Sequence, residues 1–256
     1  MADFTRSEDI VFSREGMKIH GRLYLPEGHG GRCAKYPLAV FSHGLGSNYR
    51  ELEHYGPVLA GEGISCFLFD FCGGGPESLS DGDFEKMSVQ TEIDDLHTVL
   101  TEIKKRNDID SRHIFLMGES QGGYVSAVAA AEQPESVSGL ILWYPAFNIR
   151  EDAEKRAGLP APERYDFFGL RMGEQYIRDA LRIPVYCKIA DYKKNVLIIH
   201  GDRDDLVPLS VSEKAVQIYE SAELKVIRGG GHGFEGDDRW KAAEYSVRFM
   251  KKLMIR

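Results

Sequence analysis

A serine hydroxyl is a poor nucleophile at neutral pH unless a base takes its proton. Residues 113–133, HIFLMGESQGGYVSAVAAAEQ, put one where that help could arrive. An apolar run from Ile114 to Met117 ends at Gly118-Glu119-Ser120-Gln121-Gly122, and a helical pattern begins at once. G-x-S-x-G between a strand and a helix implies a sharp reversal, with glycines keeping side chains out of the turn. Ser120 would stand at the top of a sheet. The Gln121 N–H, at a helix start, would face developing negative charge. Taken alone the pattern is equally a strand–helix turn with a serine N-cap. The rest of the chain must therefore supply a base, an acid and a second N–H donor.

The base is expected at His232. Of the eight histidines only His43, His200 and His232 lie at predicted C-terminal strand ends, where open α/β sheets bind ligands. His43 and His200 sit in short His-Gly turns and are expected to hold loop geometry by hydrogen bonds. His232 follows the last strand, in Gly229-Gly230-Gly231-His232-Gly233-Phe234. An acid that orients it should follow the strand ending at Ile199, where Asp202, Asp204 and Asp205 compete. Most carboxylates in such a turn are solvated. Asp204 lies far enough beyond the strand to reach the histidine loop, with Asp205 as the alternative. A tetrahedral intermediate needs two N–H donors. Gln121 offers one, and the Leu45 backbone in His43-Gly44-Leu45-Gly46 is the expected second; otherwise that stretch is a plain glycine turn.

The elements that must position these residues alternate. Residues 8–14 and 17–25 read as a hairpin turning at Glu15-Gly16, followed by a glycine-rich surface loop at 27–35. Strands are expected at 38–42, 64–71, 114–117, 139–144, 195–199 and 223–228. Helices are expected at 50–61, 89–105, after Ser120, from Ser210 to about 220 with a Ser210–Glu213 capping box, and at 238–253. Leu52, Tyr55, Leu59 and Ala60 mark the buried face of the first helix. In helix 89–105, Ile93, Leu96, Val99, Leu100 and Ile103 mark the inward face, with Asp and Glu opposite. In the closing helix Trp240, Ala243, Val247 and Met250 point inward. Strands alternating with helices argue for a mostly parallel sheet covered on both faces. Residues 148–190 break the rhythm. They are rich in Arg, Glu and Asp, carry three prolines and hold Tyr165, Phe167, Phe168, Tyr176 and Tyr186. They read as a cap inserted over the sheet edge, the alternative being ordinary crossover helices. Its aromatics would either stack on a substrate ring or form the cap's own core.

Composition excludes several function classes. The chain has 256 residues, 43% of them hydrophobic, enough for one large domain. A net charge of −8 gives no attraction to phosphate backbones or anionic lipid, so neither nucleic acid nor membrane is an expected partner. Cys33, Cys66, Cys72 and Cys187 show no C-x-x-C or metal spacing. Free thiols and an N-terminus without a long apolar run read as a cytoplasmic protein.

The order Ser120, Asp204, His232 is that of the α/β-hydrolase motif. With HGLG after the first core strand, GESQGG, HGDRDDLVP and GGGHGF, the chain resembles an α/β-hydrolase-fold serine esterase over nearly its whole length. Within that superfamily it is similar to small bacterial cinnamoyl and feruloyl esterases, through HG-x-G, FDF before a glycine loop, SDGDFEKMSV and HG-x-x-D-x-x-VP. The last spacing places the family's acid on Asp204. Those esterases carry an insertion where residues 148–190 lie. The loop Cys72-Gly73-Gly74-Gly75-Pro76 departs from the G-H-G type common among relatives, and with the insertion it is expected to surround the pocket. The resemblance implies an ester hydrolase without metal or organic cofactor. It would act on small-molecule esters, hydroxycinnamoyl esters first, as a monomer or homodimer. A prolyl-oligopeptidase-like peptidase, an acyltransferase or thioesterase, and a non-catalytic ligand receptor on this fold are the rivals.

Overall fold

A computed structural model describes residues 5–27, 34–161, 163–167 and 169–255. Most of the glycine-rich loop, Pro162 and Phe168 fall outside them. The chain opens with β1 (Thr5–Arg14) and β2 (Met17–Pro26), paired antiparallel across Glu15 and Gly16. Both turn residues have positive φ (51° and 87°), the geometry of a tight two-residue hairpin turn. Then follow β3 (Tyr36–Ser42), α1 (Tyr55–Gly61), β4 (Ser65–Phe69), α2 (Val89–Ile103), β5 (Ile109–Glu119), α3 (Ser120–Glu132) and β6 (Gly139–Trp143). Between β6 and the next strand of the sheet lie α4 (Ile149–Ala157), the short hairpin β7 (Asp166–Phe167) with β8 (Leu170–Arg171), α5 (Glu174–Arg182) and α6 (Val185–Ile189). The chain closes with β9 (Val196–Gly201), α7 (Leu209–Ile218), β10 (Ala222–Ile227) and α8 (Gly236–Met254).

Among the described residues eight strands form one sheet in the order β1-β2-β4-β3-β5-β6-β9-β10, parallel from β4 onward. Side-chain alternation splits the core between the two faces. Leu38 and Val40 face α2 and α3, whereas Ala39 and Phe41 face α1 and α8. Helix α3 is buried nearly all round, because the sheet, α2 and α6 enclose it. This explains why it carries no amphipathic stripe. The strand order reverses at β3, which has β4 on one side and β5 on the other. Ligands of open α/β sheets bind outside the strand ends at such a switch point, and here the ends of β3 and β5 carry His43-Gly44-Leu45 and Ser120.

Several expectations need correction. The helix expected at 50–61 is a 3₁₀ turn, Tyr49–Leu52, followed by α1, although Leu52, Tyr55, Leu59 and Ala60 are all buried. Helix α7 begins after Pro208 with no side-chain cap from Ser210. The capping box lies instead at α2, where Ser88 Oγ accepts from Thr91 N–H and Thr91 Oγ1 accepts from Ser88 N–H. Trp240 is 46% exposed and packs against His54 and Tyr55 at the end of the sheet, while Ala243, Val247 and Met250 are buried. Glu92 and Asp95 lie on the buried face of α2, not the outer one. Among the described residues no helix is long and apolar enough to cross a membrane.

Candidate active site

The turn at Ser120 is as tight as its glycines imply. Ser120 has φ 51°, a left-handed conformation that a side chain adopts only under strain. A Cβ on Gly118 would lie 2.2 Å from the Gly122 carbonyl oxygen, and one on Gly122 would lie 2.4 Å from the Ser42 and His43 oxygens. The end of β5, the turn at Ser120 and the end of β3 therefore touch backbone to backbone. Because α3 starts at Ser120, the Gln121 N–H is among the first N–H groups, which have no partner within the helix.

Three loops converge on this hydroxyl. His232 Nε2 lies 3.0 Å from Ser120 Oγ, and His232 Nδ1 lies 2.8 Å from Asp204 Oδ2. The three candidate carboxylates differ in their contacts. Asp202 accepts from Gly229 N–H at 2.6 Å, Asp205 is exposed, and Asp204 faces the imidazole with its side chain buried. Burial would raise the Asp204 pKa. Hydrogen bonds from His200, His232 and the Val207 N–H outweigh it and hold the carboxyl well below its usual range. The Leu206 and Val207 N–H groups reach Oδ1 at 3.0 and 2.7 Å, fixing the carboxylate's orientation. His200 accordingly supports the acid from beneath, 3.3 Å away, with its other contacts to Val207 O and Ser212 Oγ.

His43 also serves loop geometry. Its ring is fully buried and its Nε2 accepts from Phe71 N–H at 3.2 Å. That leaves Nδ1 as the donor to Gly44 O at 2.8 Å. Burial lowers its pKa, keeping the ring neutral. Leu45 and Gln121 both line the pocket beside Ser120. Residues 73–75 do not line it, contrary to expectation. They back the oxyanion loop, where Gly46 N–H donates to Gly74 O at 3.1 Å and a Cβ on Gly75 would strike Ser47 O at 2.5 Å.

Three polar residues near Ser120, namely Glu119, Tyr144 and Glu92, have no role assigned to them by the sequence. Glu119 accepts from Tyr144 Oη at 2.7 Å. Burial raises its pKa, against the opposing pull of Tyr144 and the Gly44 N–H. Tyr144, with φ 36°, sets its ring edge 4.8 Å from His232. On the other side, the Gln121 side chain donates to Glu92 Oε2 at 2.8 Å and accepts from Tyr176 Oη at 2.5 Å. Glu92 is buried with that single amide donor, and burial pushes its pKa well up. A signal for Glu92 existed. It stands three and four residues from Val89 and Leu96, in register with the buried stripe.

The pocket over Ser120 has a volume of about 450 Å³. One side comes largely from the stretch between β6 and β9: the apolar Ile149, Phe167 and Leu170 and the ring of Tyr176, beside the polar Asn148 and Asp152, with Val207. The other carries Glu51, His54, Tyr55, Glu119 and Arg239. Phe167 and Tyr176 do double duty, buried against the core, in edge contact at 5.2 Å, and facing the pocket. Tyr165 and Tyr186 pack on the core and are not in the lining.

Comparison with known proteins agrees with this geometry. A family model described as serine aminopeptidase, S33, a hydrolase family, matches residues 36–167. The structure of Est1E from Butyrivibrio proteoclasticus with ferulic acid bound superposes with a TM-score of 0.85 at 26% identity, covering 96% of this chain and 100% of that one. An uncharacterized protein of Mycobacterium tuberculosis is 27% identical over 224 residues, 87% of this chain and 71% of its own length. The 20-hydroxy-prefusarin hydrolase FUS2 of Gibberella moniliformis is 32% identical over 134 residues, 50% of this chain and 30% of that protein. The chain thus belongs to the serine aminopeptidase S33 family of α/β hydrolases, and its resemblance to bacterial feruloyl esterases, read first from four short motifs, holds across the fold.

Proposed function

We propose that the protein is a serine carboxylic-ester hydrolase working through an acyl-enzyme. Ser120 attacks the ester carbonyl as His232 Nε2 takes its proton. Asp204 holds the imidazole with Nδ1 protonated and stabilises the imidazolium. The Leu45 and Gln121 N–H groups receive the oxyanion. The imidazolium then protonates the departing alcohol. Water, deprotonated by His232, attacks the acyl carbonyl, and the acid leaves as Ser120 regains its proton. One observation carries this reading: the unbroken line from Ser120 Oγ through His232 to Asp204, at 3.0 and 2.8 Å, opening into a pocket.

Residues 148–190 act as a cap whose Phe167 and Tyr176 present aromatic surface to the acyl group. That surface, together with the likeness to an esterase-fold protein crystallised with ferulic acid, supports hydroxycinnamoyl esters as the substrate class. A fluorophosphonate probe tests the nucleophile: it is expected to label the wild type and not Ser120→Ala. A panel of acetyl, butyryl, benzoyl and feruloyl esters tests the acyl group, with feruloyl expected to give the highest kcat/KM. A prolyl peptide anilide cleaved faster than any ester would establish the peptidase alternative that the family's name raises.

A further inference from the structure

Gly44 is held from two sides. Its carbonyl accepts from the buried His43 Nδ1–H at 2.8 Å. On its other side lies the Glu119 carboxylate: a Cβ on Gly44 would come within 3.7 Å of Glu119 Oε1 and 3.4 Å of the Ser120 Cβ. The Gly44 C=O and the Leu45 N–H belong to one planar trans peptide and point in opposite directions. The Gly44 N–H belongs to the preceding peptide and is held by the Glu119 carboxylate, so the two bonds together fix both peptides that flank Gly44 and with them the direction of the Leu45 N–H. Glu119 is itself fixed. Tyr144 Oη donates to its Oε2 at 2.7 Å, and Tyr144 is strapped in place by its N–H bond to Ile199 O at 2.7 Å and by ring contacts of 4.8 Å with both His232 and Phe234. The carboxylate thus sits where the nucleophile turn, the oxyanion loop and the base loop meet.

We propose that Glu119 is a positioning residue that, braced by Tyr144, holds Gly44 so that the Leu45 N–H is aimed at the oxyanion. The proposal rests on the esterase mechanism above. Glutamine at 119 keeps the shape but turns an amide N–H₂ toward one of two donors, Tyr144 Oη or the Gly44 N–H, and loosens the loop. An oxyanion donor acts in the transition state and not on bound substrate. Its misalignment therefore lowers kcat and leaves KM in place.

The test is Glu119→Gln assayed on p-nitrophenyl butyrate, with active sites counted by fluorophosphonate titration so that misfolded enzyme does not enter the rate. The expected result is a fall in kcat of about 10- to 100-fold, part of the ~10²–10³ that loss of a whole donor costs. KM is expected to stay within about threefold, and affinity for a trifluoromethyl ketone, whose adduct carries the same oxyanion, to weaken in parallel with kcat/KM. Tyr144→Phe removes only the brace and is expected to move the same quantities the same way by a smaller factor; it decides the matter if Glu119→Gln does not fold. Unchanged kcat per titrated site, or a raised KM with kcat preserved, overturns the proposal while leaving the nucleophile intact. A wild type that neither reacts with fluorophosphonate nor turns over ester overturns the mechanism and this inference with it.

Discussion

The two walls of the pocket are built on different terms. The wall carrying Ser120, Leu45, His232 and Asp204 hangs from the ends of adjoining parallel strands. There, backbone contacts as close as those at Gly118 and Gly122 leave no room for adjustment. The opposite wall, α4 to α6 with β7 and β8, leaves the sheet after β6 and returns at β9. Polar contacts tie it to the sheet-borne half through Tyr176 to Gln121, through Asp179 to Ser88, the N-cap of α2, at 2.7 Å, and through Lys188 to Glu132 of α3 at 3.3 Å. Bond-making groups need placement to a fraction of an ångström, which strand ends provide. On the proposed mechanism the opposite wall only selects the acyl group, which needs shape and surface and can vary without disturbing the chemistry.

The sharpest way to break this comparison is to injure one wall and watch the other. Asp204→Asn is expected to lower kcat/KM by on the order of 10⁴, as loss of the orienting acid leaves the imidazole in the wrong tautomer. Asp205→Asn, one residue along and exposed, is expected to leave it unchanged. Steady-state kinetics on one ester decide, and equal effects would mean that the sheet-borne wall is not where the chemistry resides. Ser88→Ala removes both the α2 cap and the partner of the buried Asp179, so about 1–2 kcal/mol of stability should go. Urea denaturation reads this, with an unchanged midpoint arguing that α5 is not tied down there.

Smaller effects belong to the selecting wall. Phe167→Leu is expected to shift the ratio of kcat/KM for feruloyl over acetyl esters by about tenfold, within the range that one altered apolar contact set gives. The acetyl rate itself should move little. If both rates fell together, the insertion would be part of the catalytic wall after all. Smallest of all is the pH response at the junction. The Glu92 pKa is raised in the folded state, so the folded chain holds its proton more tightly than the unfolded one. The associated stability is complete below the unfolded pKa, about 4.3, and is lost as pH rises through the folded value. Glu92→Gln cannot ionise, so melting temperatures from pH 5 to 9 should decline less steeply than in the wild type. Asp204 carries the opposite sign: its depressed pKa gives stability above about 3.9 that fades on acidification. Parallel slopes for wild type and Glu92→Gln would show that Glu92 does not titrate in this way.

What could be read from the residues alone follows the range of the interactions involved. Strand and helix order rests on local periodicity, and the elbow rests on five consecutive residues, so both were legible. Asp204 was separated from Asp202 and Asp205 by reach and by motif spacing, and the contacts agree. The Glu92–Gln121–Tyr176 chain was not legible, since its links span 29 and 55 residues. Charge on a helix ordinarily means solvent, yet Glu92 and Asp95 fall on the buried stripe. Asp95 is partnered there by Arg14 Nε at 2.6 Å and Cys72 N–H at 2.8 Å. Trp240 keeps helical spacing with Ala243 and Val247, but its ring lies half-exposed against His54 and Tyr55, partners far away in sequence that spacing alone could not supply.

The separation of 112 positions between Ser120 and His232 has a bearing on biogenesis. The nucleophile's own turn is complete once β5 and α3 pack. His232, its proposed base, arrives only after β9 has paired with β6 and β10 with β9. Non-local pairing of this kind comes late because loop closure must precede its reward. A chain still emerging from the ribosome at residue 200 therefore carries a finished nucleophile elbow with no base beside it, and ester cleavage is expected to begin only when the far edge of the sheet has closed.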